Sequence, residues 1–106
     1  MARPIASGVA TGKWASFDDN TAFPEFPGTK AGLLKSWDED TVALNRIWST
    51  IPPHRFAEVD TAFGMWTGTG IWMILYAINN ETHYRAQGYV YLRAMGIEPP
   101  PFYERS

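Results

Sequence analysis

The amino-acid sequence predicts an all-α protein built around two long helices. Two segments carry apolar side chains at intervals of three and four residues, the spacing that gathers side chains on one face of an α-helix. Each segment begins at a threonine that can cap a helix and ends close to prolines, which cannot continue one. With 106 residues, the chain is expected to fold as one small domain.

An irregular, loop-rich segment is predicted for residues 1–28, and the helical domain is predicted to occupy residues 29–106. Glycine, proline and an Asp-Asp-Asn run interrupt the first segment so often that no helical period is visible. Large aromatic side chains are expected to pin this segment onto a helical surface: Trp14, Phe17, Phe23 and Phe26.

The first predicted helix runs from about Thr29 to Thr50. Thr29 is the candidate N-cap, and Pro52-Pro53 disfavours helical angles at the preceding residue. Apolar side chains recur on one stripe of this helix, which predicts one buried and one solvated face: Leu33, Trp37, Leu44, Trp48 and Ile51. The connector that follows, residues 52–68, contains an alternating stretch that allows a short extended piece.

The second predicted helix is long, from about Thr69 to Met95. A threonine caps its start, Gly96 suits the left-handed residue beyond the last turn, and the following three prolines prevent continuation. Its first half, Ile71 to Ile78, is apolar nearly all round, which predicts burial on several sides.

Composition and charge disfavour several classes of protein. The net charge is −2 with both signs interspersed, so the sequence lacks the basic stripe that nucleic-acid binding requires. The absence of cysteine excludes disulfides and thiolate chemistry. Because no signal-like run and no apolar run of roughly 20 residues is present, the expectation is a cytoplasmic protein that binds no membrane.

Hydrogen-bonding side chains form one broad stripe along the second helix: Tyr76, Asn80, His83, Tyr84, Gln87 and Tyr91. Together with Arg85 from the same segment, four of them are the candidate site: Asn80, His83, Tyr84, Arg85 and Gln87. They could line a pocket inside a helical bundle. Alternatively, these residues have a purely structural role, in which the tyrosine rings pack against apolar neighbours and the amides form ordinary hydrogen bonds. Arg85 can likewise pair with Glu81 four residues earlier, or point inward and bind a carboxylate. No catalytic residue is assigned, and the small-molecule ligand is unknown.

The segment from Asn79 to Pro100 resembles the final-helix signature of the DinB family. That signature has the form HExHHRGQ, followed by an apolar Tyr-Leu-Arg segment and a Gly-Ile-x-x-Pro exit. The matching residues occur here in order: Arg85-x-Gln87, Tyr91-Leu92-Arg93 and Gly96-Ile97-Glu98-Pro99-Pro100. The resemblance implies an antiparallel four-helix bundle, of which this chain would supply the C-terminal half, and often a dimer.

The same resemblance concerns a metal site. Many members hold a divalent metal such as Zn, Ni or Fe through three histidines, one early in the chain and two on the last helix. The two last-helix positions fall on Asn80 and Tyr84, and His83 is the retained motif histidine. The comparison also suggests that two upstream helices, with the early histidine, are missing. The motif is therefore degenerate, and we expect no tightly bound transition metal.

Three interpretations of function stay open. The chain could be a noncatalytic family member that acts as a binding or assembly module, a metal-dependent transferase-like enzyme with an unusual ligand set, or the truncated product of a longer gene. Two amphipathic helices cannot cover each other's apolar surface when one is apolar nearly all round. A homodimer is therefore expected.

Overall fold

The computed structural model describes residues 1–104, and within them the chain forms three α-helices and one two-stranded antiparallel hairpin. In chain order the elements are α1 (Ala2–Thr11), α2 (Lys30–Trp48), a 3-10 turn (Pro53–Phe56), β1 (Val59–Ala62), β2 (Trp66–Thr69) and α3 (Gly70–Ala94). The fold is mostly helical, as predicted, but the hairpin means that it is not purely α. None of the described helices is both long and apolar enough to cross a membrane.

The two long helices begin and end where the sequence predicted them. The Thr29 hydroxyl accepts a hydrogen bond from the Gly32 amide at 3.0 Å, and the Thr69 hydroxyl accepts one from the Trp72 amide at 3.3 Å. Beyond α3, Gly96 has a φ of 76°, and the Ile97 amide donates to the Leu92 carbonyl at 2.9 Å. This is the left-handed glycine cap that satisfies the last carbonyls of a helix.

Helix α1 corrects part of the prediction that residues 1–28 form an irregular, loop-rich segment. Gly12 suggested a break, yet Gly12 and Pro4 both suit the ends of a helix. Pro4 lies in the first turn, where the amide it lacks would have no intrahelical partner. Gly12 ends the helix at a φ of 70°, and its amide donates to the Gly8 carbonyl at 2.7 Å. Only the remainder of the segment is irregular.

The core forms around α1, which packs against both α2 and α3. Among residues 1–104 the buried apolar side chains are Ile5, Ala6, Val9, Ile51, Ala62, Met73, Ile74 and Ala77. The first three of these belong to α1, although that helix has only ten residues. The short helix that the sequence did not predict therefore supplies a large part of the core.

Two burial predictions for the long helices were wrong in part. None of the 19 residues of α2, all of them described, is fully buried, and Leu33, Trp37 and Trp48 on its predicted inner face are exposed. Of the same predicted face, Leu44 packs half-buried against the core and Ile51, beyond the end of the helix, is buried. Helix α3 buries one face instead of several sides of its first half, so Ile71 and Leu75 remain about half exposed. The physical reason is the size of α1, which spans about 15 Å and cannot cover either long helix.

A polar network holds α1 to the connector. Arg55 donates from Nε to the Val9 carbonyl at 2.7 Å, and from its two terminal nitrogens to Glu58 at 2.6 Å and Asp60 at 2.8 Å. Asp60 Oδ2 also accepts from the Trp14 indole nitrogen at 2.9 Å. These bonds from Trp14 and Arg55 lower the pKa of Asp60. The bonds to Asp60 and Glu58 raise the pKa of Arg55.

Aromatic side chains pin the irregular segment, as expected, but onto the hairpin. The rings of Phe17 and Phe23 lie 5.0 and 5.7 Å from that of Phe63, and Trp14 meets Phe63 edge-on at 5.2 Å. Phe26, in contrast, is largely exposed. The prediction of a pinned segment is therefore confirmed for Trp14, Phe17 and Phe23 and wrong for Phe26. The predicted helical surface is right for Trp14, whose ring also packs on Gly8 of α1, and wrong for Phe17 and Phe23, whose rings lie against the hairpin.

Candidate functional site

The candidate site lies on the part of α3 that extends beyond the core. All buried residues of α3, a helix described over its whole length, fall between Gly70 and Ala77. At about 1.5 Å per residue, α3 is more than twice as long as α1, and the molecule is accordingly elongated, 46 × 27 × 26 Å. We call residues 80–94 of α3, with the C-cap residue Met95, the projecting half of α3.

The buried face of α3 continues onto the projecting half. From Met73 and Ala77 in the core, steps of three and four residues lead along one line through Asn80 to four further positions. These four positions, which we call the outer stripe, are Tyr84, Gly88, Tyr91 and Met95. Side chains at these steps share a helix face, so the outer stripe is the direct extension of a core surface. Its three large side chains are nonetheless exposed.

His83 and Gln87 lie beside the outer stripe and contact each other. The Gln87 amide nitrogen and His83 Nε2 are 3.1 Å apart, so the amide can donate to a neutral imidazole. The His83 ring also meets the Tyr84 ring edge-on at 5.1 Å. These contacts are local, within one turn of helix. The structure thus brings His83, Tyr84 and Gln87 together on one surface, without an enclosing wall from another described element.

Of the two alternatives predicted for Arg85, the structure shows the pairing with Glu81 at the surface. Its guanidinium pairs with Glu81 at 3.2 Å, and the side chains are 36% and 46% exposed. An exposed pair four residues apart in a helix contributes only a few tenths of a kcal/mol, because water already solvates both charges.

The substitution Arg85→Ala is therefore expected to lower the free energy of unfolding by less than about 0.5 kcal/mol. Urea denaturation followed by circular dichroism measures this difference. A loss of 1.5 kcal/mol or more, on the order of a buried charged hydrogen bond, would contradict the surface role.

A three-histidine metal site does not fit the residues present. The two positions that the sequence resemblance assigns to final-helix ligands are Asn80 and Tyr84, an amide and a phenol, which are weak ligands for transition metals. His83 points to Gln87. Within residues 1–104, no group of three or more His, Cys, Asp or Glu side chains is arranged to hold a metal ion.

The surface clefts lie away from the motif. A small apolar cleft between the hairpin and α3 is lined by Ile5, Phe63, Trp66 and Trp72, among others, and its volume is about 40 Å³, which suits only a few water molecules. A larger groove lies between α1 and α2. Neither is lined by any of the five candidate residues. Sequence periodicity could not indicate these clefts, because both depend on where α1 packs.

Comparison with known protein families identifies the family to which this chain belongs. The model of the DinB family matches residues 11–106, which is all of the chain except its first ten residues. A search of curated proteins finds no match, and a search of solved structures finds none. Nearly all of α1, Ala2–Thr11, thus lies outside the matched segment, although it supplies part of the core.

Proposed function

The chain belongs to the DinB family, and from this premise we propose that it is a noncatalytic member that works as an assembly module. In this proposal a second copy of the chain packs on the projecting half of α3. One observation carries it: the outer stripe extends a core surface, yet Tyr84, Tyr91 and Met95 are 61%, 69% and 66% exposed.

Exposed apolar stripes of this kind favour association. An amphipathic helix gains stability by burying its apolar face against another element, and large continuous apolar patches on soluble proteins mark interaction surfaces. The outer stripe can pair with the same stripe of a second copy about a twofold axis, so one surface serves both chains. The homodimer is thus the simplest closed arrangement.

Gly88 supports a close helix–helix approach. A glycine inside a helix costs roughly 1 kcal/mol relative to alanine. A Cβ atom added at Gly88 would meet nothing within 4 Å, so no contact within the described chain requires glycine here. A helix packed across this position would gain from the missing side chain, since two backbones can then approach closely.

The substituted motif positions fit the same role. Asn80 and Tyr84 stand where other members of the family carry metal ligands, and both lie on the line that extends from the core. In the proposed dimer these positions serve packing and hydrogen bonding in place of metal chemistry. The metal-dependent transferase alternative receives no comparable support from the residues of the motif.

A pair of leucine substitutions tests the proposal. Gly88→Leu places a large side chain on the outer stripe, whereas Ala86→Leu places the same side chain on the opposite side of the helix. An oversized side chain in a packed interface typically costs 1–3 kcal/mol of stability. In a twofold dimer this cost occurs at two symmetric positions. We expect Gly88→Leu to weaken dimerisation by at least about tenfold, and Ala86→Leu to have little effect.

Light scattering at tens of micromolar gives the molar mass, with 11.9 kDa expected for one chain. The proposal predicts a dimer for the parent protein and for Ala86→Leu, and a shift toward monomer for Gly88→Leu. Circular dichroism checks that both variants remain helical. A monomeric parent protein, or equal dimerisation of the two variants, would reject the proposal.

A further inference from the structure

A groove with a positive surplus lies between α1, the loop after it and α2. Its volume is about 420 Å³, within the range of roughly 300–1,000 Å³ in which small-molecule sites fall. Basic side chains reach it from three segments: Arg3, Lys13 and Arg46. Short and apolar side chains form much of its floor: Pro4, Ala15, Ala22, Ala43 and Ile47. None of these residues belongs to the outer stripe.

Arg3 builds the groove by connecting its walls. Its Nε pairs with Asp40 of α2 at 3.1 Å, and a terminal nitrogen donates to the Thr21 carbonyl at 3.0 Å. Asp19, the acidic residue of the lining, accepts from the backbone amides of Thr21 and Ala22. The charges of Arg3 and Asp40 offset each other, and the Asp19 carboxylate is engaged in holding its own loop.

Lys13 and Arg46 are the cations left to attract a ligand. Neither forms an ion pair with any residue among positions 1–104. Asp38 and Glu39 line a neighbouring depression with Arg46, and Glu39 is already paired with Lys35. The lining of the groove itself carries three basic side chains and one carboxylate, that of Asp19, in a chain whose net charge is −2.

We infer that this groove binds a small organic carboxylate. The carboxylate lies between the Lys13 ammonium and the Arg46 guanidinium, which can hold it with charge-assisted hydrogen bonds. Its short aliphatic tail lies on Ala43 and Ile47. The two cations without an ion pair favour an anion, and the apolar side chains of the lining favour a tail over a bare inorganic ion. The site is separate from the proposed dimer surface.

Hexanoate is the probe for this site, and its binding can be followed by the amide signals of the labelled protein in heteronuclear NMR spectra. We expect saturable shifts at Lys13, Ala15, Ala43 and Arg46. The double variant Lys13→Gln/Arg46→Gln should bind about threefold to tenfold more weakly, because it removes two charged contacts that are partly screened by water.

The matched control is Lys30→Gln/Arg93→Gln, which removes the same charge from positions outside the groove and should keep the parent affinity. Acetate, which lacks the tail, should bind at least about tenfold more weakly than hexanoate. The inference is overturned if hexanoate gives no saturable shifts in the groove, if its shifts map to α3, or if both double variants bind equally. Equal binding of acetate and hexanoate would overturn the assignment of an organic tail.

Discussion

Replacing Arg55 with alanine is expected to lower the free energy of unfolding by about 3 kcal/mol. The Arg55 side chain is only 16% exposed and donates to the Val9 carbonyl, Glu58 and Asp60. Its loss removes a donor from the Val9 carbonyl of α1 and leaves the half-buried Asp60 carboxylate with the Trp14 indole as its remaining side-chain donor. Charged hydrogen bonds in such a setting are worth more than surface ion pairs, because water compensates them less well.

Urea denaturation measures this effect, with Arg85→Ala as the control that removes an arginine from an exposed pair. We expect the Arg55 variant to lose several times more stability than the control. Equal losses for the two variants would show that the network does not hold α1 in place.

Acid provides a second readout of the same network. Hydrogen bonds from Trp14 and Arg55 lower the pKa of Asp60 in the folded protein, so the stability it contributes is present above its unfolded pKa of about 3.9. That contribution is lost as the pH falls through the lower, folded pKa. The parent protein should therefore lose stability below about pH 4 more steeply than Asp60→Asn does.

The substitution Ile5→Asp is expected to prevent folding. Ile5 is 2% exposed in the core between α1 and its neighbours, and an unpaired carboxylate at such a position costs at least about 4 kcal/mol. This approaches the whole stability of a small domain, which is roughly 5–15 kcal/mol. The result matters because α1 lies almost wholly outside the segment that matches the family.

Ile78→Asp is the matched control, since Ile78 is 54% exposed on α3 and undergoes the same chemical change. Far-ultraviolet circular dichroism and urea titration should show a folded Ile78 variant and an unfolded Ile5 variant. If Ile5→Asp folded with the stability of Ile78→Asp, α1 would be an appendage instead of a part of the core.

The long helices could be predicted because their signals are local. Thr29 and Thr69 cap from the position that the sequence indicates, and Gly96 adopts the left-handed conformation expected of it. Helix α1 could not be predicted in this way, because its stability comes from residues that are distant in the sequence. Arg55 bonds to Val9 across 46 positions, and the Trp14 ring packs so closely on Gly8 that an added Cβ would lie 2.2 Å from it.

The hairpin escaped prediction for a related reason. Phe63 in its turn has a φ of 54°, a conformation that bulky residues rarely adopt. Its ring contacts the rings of Trp14, Phe17, Phe23 and Trp66, and this packing offsets the backbone strain. Only the three-dimensional arrangement brings those five aromatic side chains together.

At the candidate site, too, the sequence predicted the local arrangement but not the packing around it. The motif indicated which residues share a face of α3, and His83, Tyr84 and Gln87 do lie together. Whether that face lines a pocket depends on what packs against it. Since α1 covers only the first half of α3, the outer stripe is exposed in a single chain, and its proposed cover is a second copy.

The contact between two copies can be observed directly by isotope-filtered NMR on a mixture of labelled and unlabelled chains. If the outer stripes pair as proposed, intermolecular nuclear Overhauser effects should connect the Met95 methyl group to one of the tyrosine rings of the outer stripe, at position 84 in an antiparallel pairing or at position 91 in a parallel one. The same signals should disappear in Gly88→Leu and remain in Ala86→Leu. A sample without intermolecular effects, or with effects confined to the exposed side chains of α2, would contradict the assignment of this surface to self-assembly.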